Sequence, residues 1–473
     1  MQPMLAPVLH RLSIRSEWFF IPNRILWPNW ESFISPPVEG VDGPAAPFLS
    51  NFTVVSNSLG DYLGLPLGSW NNGDGGDPSQ IVNALPFSAY QRVWWDWYRD
   101  EDFQPLQWQY AGQLVDGDNS EQEELFPIRI RNNDRDYFTS AKPWPQKGDA
   151  VVIPAFVGDL PVSANLETQW HVNRTDHTGL SATALVSTGT SDTDGIGLDG
   201  GGTGVALDPR GALSISSDDM LAQAGTIEQL RMANALQRFL EADARGGTRY
   251  VELLWRHFKA YLPDKIDRSE YIGNTVQPIS ISEVLNTTGT TDAPQGTMTG
   301  HGISAARHAT DLSYSAVEHG WLMCICSVIP ATGYYQGIPK MWSRFDRFDY
   351  AWPEFAHLGE QPILNQELYY DTASVDPDTG NTATWGYLPR YTEYKSQMNR
   401  VAGDFRTSLD YWHLARKFAS LPALAQEFLE ISQGADMDRI FAVIDPTVQH
   451  VLVHWFHAIK VHRALPRIVT PDL

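Results

Sequence analysis

The chain has 473 residues, of which 42% are hydrophobic, 12% aromatic and only 19% charged, and its formal net charge is -22 at pH 7. The length allows about three domains of ordinary size, and the negative charge argues against a protein that grips nucleic acid through an overall basic surface. Low charge with many aromatic rings fits either a large aromatic core or a surface that other protein copies cover.

Short apolar runs separated by Gly, Pro, Asn and Asp predict strands. Five runs have the length and β-branched content of strands: residues 18–22, 125–131, 150–157, 321–329 and 451–462. Their wide separation along the chain is typical of a Greek-key or jelly-roll sheet with long connections. The first residues lack the apolar centre of a signal peptide, and no apolar run is long enough to predict a membrane span.

Helical patterns are few. Residues 85–103 begin with Pro86 and place Phe87, Tyr90 and Trp94 along one face. Three further segments also predict helices: residues 226–247, which begin with a capping box and stop at two glycines, residues 248–262, and residues 421–431.

The composition changes between Pro154 and Gly225, where residues 187–204 are small, polar and acidic. This long polar stretch predicts a surface insertion. A formal GxGxxG match lies inside it, but no strand precedes the match and no helix follows it, so nucleotide binding is disfavoured. Three aspartates here could offer oxygen ligands to calcium, although their spacing fails the EF-hand pattern: Asp192, Asp194 and Asp199.

Other candidate chemical sites are weak. Four histidines at 450, 454, 457 and 462 would lie too far apart for one zinc if their segment is a strand. Cys324 and Cys326 are read as buried packing residues in a reducing compartment. The acids Asp349 and Glu354 lie among aromatic residues and could suit a glycosidase, but no catalytic motif accompanies them.

The segment around residues 342–354 alternates charges with rings. Aromatic residues beside arginine are typical of interface hot spots, and mixed charges can set the register between copies. The predicted interface residues are Trp342, Arg344, Arg347, Asp349, Trp352 and Glu354. The alternative is an ion-pair network buried within one subunit.

Six long blocks of sequence resemble the major capsid protein of the Microviridae, small single-stranded DNA phages, and specifically the gokushovirus-like branch. They are residues 10–34, 85–103, 135–151, 240–258, 318–369 and 385–406. The resemblance implies one capsid domain over residues 1–473, mainly β, with an eight-stranded antiparallel viral jelly roll, long inserted loops and a few short helices. It also implies a non-enzymatic subunit of a sixty-copy icosahedral shell, without cofactor, in a virion assembled in the bacterial cytoplasm.

The resemblance further implies a variable surface insertion at residues 155–222, which forms a threefold spike for host attachment. The predicted spike tip comprises Asp192, Asp194, Gly197, Asp199 and Gly202. Implied partners are other copies of the chain, packaged single-stranded DNA with a small basic DNA-binding protein, an internal scaffolding protein, a DNA pilot protein and a host receptor. The alternative function is a carbohydrate-binding β-sandwich protein or glycosidase that uses the aromatic segment as its platform.

Overall fold

The computed structural model of the protein describes most of the chain outside its middle. The described residues are 1–35, 43–70, 81–104, 113–149, 151, 163–164, 171–174, 205–208, 213–214, 227–245, 250–259, 267–287, 295–305, 312–373, 376, 380–431, 435–443, 445 and 448–463. Contacts divide the chain into two compact units. Unit 1 comprises Met1–Pro145 and Ala244–Leu473, and unit 2 comprises Gln146–Asp243.

The described strands are mostly short. Strands β1 to β15 are, in order, Leu12–Pro22, Phe48–Leu49, Phe52–Val54, Gly68–Trp70, Val82–Asn83, Ser163–Ala164, His171–Arg174, Val205–Asp208, Leu213–Ser214, Glu270–Pro278, Ser280–Leu285, Met298–Ile303, Gly320–Pro330, Glu360–Leu364 and Thr384–Pro389. Helices α1 to α9 are Asn23–Leu26, Trp30–Ile34, Leu59–Tyr62, Leu85–Val93, Ile227–Arg245, Tyr250–Phe258, Asn365–Leu368, Gln426–Leu429 and Ala435–Asp438.

The longest sheet of unit 1 has β1 at its centre, with β10 on one side and β13 on the other, all antiparallel. Trp18 lies opposite Cys324, and the pairing with β10 shifts register after Trp18. The end of β1 is buried at consecutive positions, as expected of a central strand covered on both faces. The strands predicted at residues 18–22 and 321–329 are confirmed.

The remaining described strands form antiparallel pairs. In unit 1 these are β2 with β5, β3 with β4, β11 with β12 and β14 with β15, and in unit 2 they are β6 with β9 and β7 with β8. Among the described residues, the largest sheet therefore has three strands. Small antiparallel sheets with few helices agree with the predicted mainly β capsid fold.

Apolar side chains of unit 1 gather in three cores. The first lies between β1 and α4 and contains Phe19, Ile21, Leu26, Trp27, Leu49 and Phe87. The second contains Phe138, Tyr334, Ile363, Leu368, Trp385 and Phe428. The third joins the N-terminal segment to residues near 440 and contains Met4, Val8, Leu12, Ile279, Ile440 and Phe441. The second core includes side chains from both β14 and β15.

Three of the four predicted helices are confirmed. Helix α4 covers the start of residues 85–103 and continues as a wider π-helical turn over Trp94–Tyr98. Helices α5 and α6 lie within the predicted segments 226–247 and 248–262.

The fourth predicted helix, at residues 421–431, is wrong over most of its length. Only Gln426–Leu429 form a helical turn. The carbonyl oxygen of Pro422 accepts a hydrogen bond from the Trp385 indole at 2.8 Å, and Ala425 is fully extended with φ -141° and ψ -179°. A side chain from β15 therefore takes the backbone acceptor that a helix would need.

The strand predicted at residues 125–131 is also wrong. Its carbonyl groups are bound by side chains of the preceding helix instead of a neighbouring strand. Gln91 donates to the carbonyl oxygen of Pro127 at 2.8 Å, and the Trp94 indole donates to that of Ile130 at 3.0 Å. These contacts satisfy the backbone without a sheet ladder.

The strand predicted at residues 451–462 is wrong for the single chain. The segment has no regular secondary structure and pairs with no strand among the described residues. The strand predicted at residues 150–157 lies outside the described residues, apart from Val151. Most of the predicted insertion 155–222 also lies outside them. Its described part consists of strands β6 to β9, and the insertion falls within unit 2.

Candidate subunit interface

Residues 339–358 of unit 1 form three successive 3₁₀ turns. The turns are Lys340–Ser343, Arg347–Asp349 and Pro353–Phe355. A proline precedes the first turn and another opens the third, where its missing N–H and fixed φ suit a turn start. Because 3₁₀ turns are short and separated by extended residues, most side chains of this segment are left outside the cores.

Eight large apolar or aromatic side chains are exposed here: Met341, Trp342, Phe345, Phe348, Tyr350, Trp352, Leu358 and Tyr394. Phe345 is 91% exposed and Trp342 is 66% exposed. We call residues 340–358 together with Tyr394 the aromatic surface. Soluble monomers rarely expose large contiguous apolar patches, and such patches mark interaction sites.

The aromatic surface contains all six residues predicted for the interface, but they differ in exposure. Five of them are exposed to solvent: Trp342, Arg347, Asp349, Trp352 and Glu354. The Arg347 guanidinium covers the Phe348 ring at 4.5 Å from its centroid. Charges of both signs therefore stand among the exposed rings, as the sequence predicts. Their role in subunit contacts stays a prediction.

Arg344 is the exception, because its side chain is only 13% exposed. Its guanidinium lies 4.2 Å from the centroid of the Tyr394 ring and 3.7 Å from the Glu393 carboxylate. A cation held over a ring and beside a carboxylate stabilises the subunit that contains it. This geometry matches the alternative from the sequence, an ion pair within one chain, at this one position.

Aspartates fix the second turn. The Asp349 carboxylate accepts hydrogen bonds from the backbone N–H groups of Phe345 and Asp346, each at 2.8 Å. These two donors lower the pKa of Asp349, because they favour the charged carboxylate. Asp346 caps the same turn by accepting from the Phe348 N–H at 3.3 Å. The exposed Phe345 ring therefore stands on a hydrogen-bonded backbone.

Three hydrogen bonds hold Trp352 and its neighbour Ala351. Its indole donates to the Arg347 carbonyl oxygen at 2.8 Å, and its backbone N–H donates to the Tyr391 hydroxyl at 3.1 Å. The neighbouring Ala351 N–H donates to the Tyr394 hydroxyl at 3.2 Å. The hydrogen bond from Trp352 lowers the pKa of Tyr391. Trp352 is thus both exposed and anchored to a distant turn.

The sequence did not identify the residues that support this surface. Glu393 and Tyr394 lie in a separate 3₁₀ turn, Thr392–Tyr394. Tyr391 immediately precedes this turn in a left-handed conformation with φ 66°. They fall inside the block 385–406 that carries the family resemblance, but no local pattern links them to residues 344–352. Two tyrosines three residues apart on a polar turn were the only available signal.

The predicted spike tip is not among the described residues. Asp192, Asp194, Gly197, Asp199 and Gly202, with the calcium ligands suggested among them, lie outside the described residues. In the part of the chain that the structure describes, no helix is long and apolar enough to cross a membrane.

Comparisons with known proteins cover the whole chain. A family model described as "Capsid protein (F protein)" matches residues 1–473. The "Capsid protein VP1" of Bdellovibrio phage phiMH2K is 34% identical, over 93% of this chain and 82% of its own length. The proteins of the same name from Chlamydia phage 1 and Spiroplasma virus 4 are 31% and 28% identical, over 93% and 99% of this chain and 84% and 87% of their own lengths.

The resemblance predicted from the six sequence blocks is confirmed by these matches. The chain belongs to the capsid protein (F protein) family, whose role is structural and non-enzymatic.

Proposed function

We propose that the chain assembles with copies of itself into a sixty-subunit icosahedral shell, and that the aromatic surface forms one of the contacts between copies. The observation that carries this proposal is the group of eight exposed large side chains on a hydrogen-bonded segment. Burying one such side chain contributes about 1.5–3 kcal/mol. Because the segment is already ordered in the single chain, little conformational entropy is lost when a partner covers it.

The proposed subunit is an eight-stranded antiparallel jelly roll with long inserted loops. Family membership and the predominance of small antiparallel sheets support this proposal. The protein is proposed to be located in the virion, which assembles in the cytoplasm of the bacterial host. No cofactor is required for this role.

We also propose that the shell encloses circular single-stranded DNA. A chain with a formal net charge of -22 has a net repulsion for phosphate groups. The proposal therefore includes a small basic DNA-binding protein between shell and genome, together with an internal scaffolding protein and a DNA pilot protein. The insertion at residues 155–222 is proposed to form the threefold spike that contacts a host receptor.

The experiment is to express the chain with its neighbouring genes and to analyse the product by sedimentation, negative-stain electron microscopy and nuclease protection of DNA. Uniform icosahedral particles are expected. The double variant Trp342→Ala/Phe345→Ala should lower particle yield about tenfold or more, since each 1.4 kcal/mol is a factor of ten. The matched control is Leu67→Ala, which removes another exposed side chain of unit 1 outside the aromatic surface.

A persistent monomer in the presence of the partner genes would overturn the shell. A monomer that binds glycans at Trp352 would favour the carbohydrate-binding alternative. For the spike, deletion of residues 190–203 should leave particles intact and reduce host attachment. Loss of particles on that deletion would mean that the segment is needed for assembly and that the spike assignment is wrong.

A further inference from the structure

Residues 451–463, which we call the arm, leave unit 1 at a fixed point. The ring of His450 stacks on Phe441 with centroids 4.2 Å apart, and its Nδ1 lies 3.2 Å from the Asp438 carboxylate. The His450 carbonyl oxygen accepts a hydrogen bond from the Gln2 N–H at 2.8 Å. The chain is therefore anchored immediately before the arm begins.

The arm itself has no such anchorage. None of its backbone groups is hydrogen-bonded to another described residue, and 11 of its 13 residues are exposed. The large exposed side chains are Leu452, Val453, Phe456, Ile459 and Val461, and Phe456 is 84% exposed. Exposed apolar side chains indicate that a partner covers the arm, and backbone groups that bond only to water remain available to pair with a strand of that partner.

The sequence of the arm specifies what kind of partner fits. In an extended chain, alternate residues point to the same face. The face of the odd-numbered residues carries Val451, Val453, Trp455, Ile459 and Val461 along with His457 and Arg463, while the other face mixes Leu452 and Phe456 with His454, Lys460 and His462. The first face is therefore predominantly apolar, as in a strand that packs against other apolar side chains. A strand is stable only beside another strand, and within the single chain the arm pairs with none of the described strands.

Strand β11 offers a complementary edge. Among the described residues it pairs only with β12, and five of its six residues are exposed. Val284 and Leu285 are about half exposed, at 50% and 53%. An exposed apolar edge strand is a template for pairing with another chain.

The outer edge of β12 is occupied, so β11 is the edge that remains. Met4 and Gly300 exchange two backbone hydrogen bonds, at 2.8 and 3.2 Å. The N-terminal segment lies so close that a Cβ added at Gly300 would collide with the Ala6 carbonyl. Among the described residues, the β11–β12 hairpin is therefore paired along its β12 edge and unpaired along its β11 edge.

We propose that the arm of one copy adds as a strand to the free edge of β11 in a neighbouring copy. The proposal rests on the proposed function, since assembly brings copies together. Charge also favours it: residues 446–471 contain no acid, while the arm carries Lys460 and Arg463 and the chain as a whole has a charge of -22. A basic strand is thus attracted to another copy of this acidic protein, and Glu283 on β11 offers a carboxylate.

Single-stranded nucleic acid is the competing occupant, because basic residues and rings also bind DNA. The aliphatic face of the arm favours protein. Val453, Ile459 and Val461 cannot stack on bases or bind phosphates, whereas an apolar sheet edge would bury them. DNA binding is therefore an outcome of the test.

The first test is disulfide cross-linking in particles of the full chain that carries Val284→Cys with Ile459→Cys, or Val284→Cys with Val453→Cys to allow for register. Cβ atoms of paired strands come within the distance that a disulfide requires. Oxidation should give reducible dimers and higher multimers. Each single-cysteine variant is the control for the native Cys324 and Cys326. Intramolecular cross-links alone, or none in either pair within intact particles, would overturn the proposal.

The second test separates the two occupants with matched double variants. Val453→Asp/Ile459→Asp places charge on the apolar face and should reduce particle yield several-fold, while Lys460→Ala/Arg463→Ala should have a smaller effect. The reverse order, with particles intact but nuclease-protected DNA lost in the lysine–arginine variant, would assign the arm to DNA and overturn strand addition. If the Val453→Asp/Ile459→Asp variant forms particles normally, only this inference fails. If the native chain never assembles, the proposed function fails with it.

Discussion

The guanidinium of Arg344 lies over the ring of Tyr394, 4.2 Å from its centroid, although fifty residues separate the two in sequence. The contact ties the first turn of the aromatic surface to the turn at Thr392–Tyr394. Arg347, three residues further along, is exposed and covers only its neighbour Phe348. Two arginines of one segment therefore have different roles: Arg344 holds the surface together, and Arg347 faces outward.

Arg344→Ala should lower the free energy of unfolding of the dissociated subunit by about 1–2 kcal/mol, because it removes a largely buried cation–ring contact and a carboxylate partner. Arg347→Ala should change that free energy by less than about 0.5 kcal/mol, as most exposed substitutions do, and should lower particle yield instead. Urea unfolding and sedimentation measure the two effects. Equal loss of stability in both variants would contradict this division of roles.

Two of the three strands of the central sheet and the long helices could be predicted because their signals are local. The apolar runs of β1 and β13 and the 3.6-residue pattern of α5 each lie within one short window of sequence. The strand predicted at residues 125–131 failed because Gln91 and Trp94, on a helix more than thirty residues earlier, bind its carbonyl groups. Side-chain competition for backbone acceptors leaves no mark in the segment itself.

Only the residue composition of the candidate interface could be predicted from the sequence. Arginine beside aromatic rings identified the segment, and five of the six chosen side chains are exposed. Its support by Tyr391 and Tyr394 depends on tertiary contacts across some forty residues, which no periodicity reveals. In the arm the strand pattern is visible in the sequence, but within the single chain the arm pairs with no described strand.

Glu17 and Arg131 form an ion pair beneath the central sheet, and its disruption should be costly. Arg131 Nη1 lies 2.5 Å from Glu17 Oε2, and both side chains are nearly buried. The Tyr98 hydroxyl donates to the same carboxylate, also at 2.5 Å, while burial and the negative charge of Glu17 raise the pKa of Tyr98. The phenol therefore stays protonated, and a hydrogen-bond donor, beyond the pH at which an ordinary tyrosine ionises.

Arg131→Met should destabilise the subunit by about 3–5 kcal/mol, since it leaves a buried carboxylate without its cation. The double variant Glu17→Gln/Arg131→Met should recover part of that loss, because the neutral amide can still accept from Tyr98. Thermal or urea unfolding of both variants measures the difference. A double variant as unstable as Arg131→Met alone would show that packing, and not the unpaired charge, determines the cost.

His10 should make the stability of the subunit depend on pH. Its Nε2 lies 2.6 Å from the carbonyl oxygen of Ala331, which a neutral ring can contact as a donor. Burial lowers the pKa of His10 below the ordinary value of 6.5, and the neighbouring His413 ring and the Arg439 guanidinium lower it further. The folded state therefore binds the proton less readily than the unfolded state does.

The stabilising contribution of neutral His10 is fully present above pH 6.5 and is lost as the pH falls through the window between 6.5 and the lower folded-state pKa. His10→Gln keeps an N–H donor for Ala331 but cannot titrate. The difference in free energy of unfolding between native protein and variant should therefore be constant above pH 6.5. Below pH 6.5 the native protein should lose stability relative to the variant. Urea unfolding from pH 8 to pH 5 measures this difference. Other titrating groups, such as Glu367 with its raised pKa, are present in both proteins, so their contributions to the difference cancel. A difference that stays constant over the whole range would show that His10 titrates alike in the folded and unfolded states.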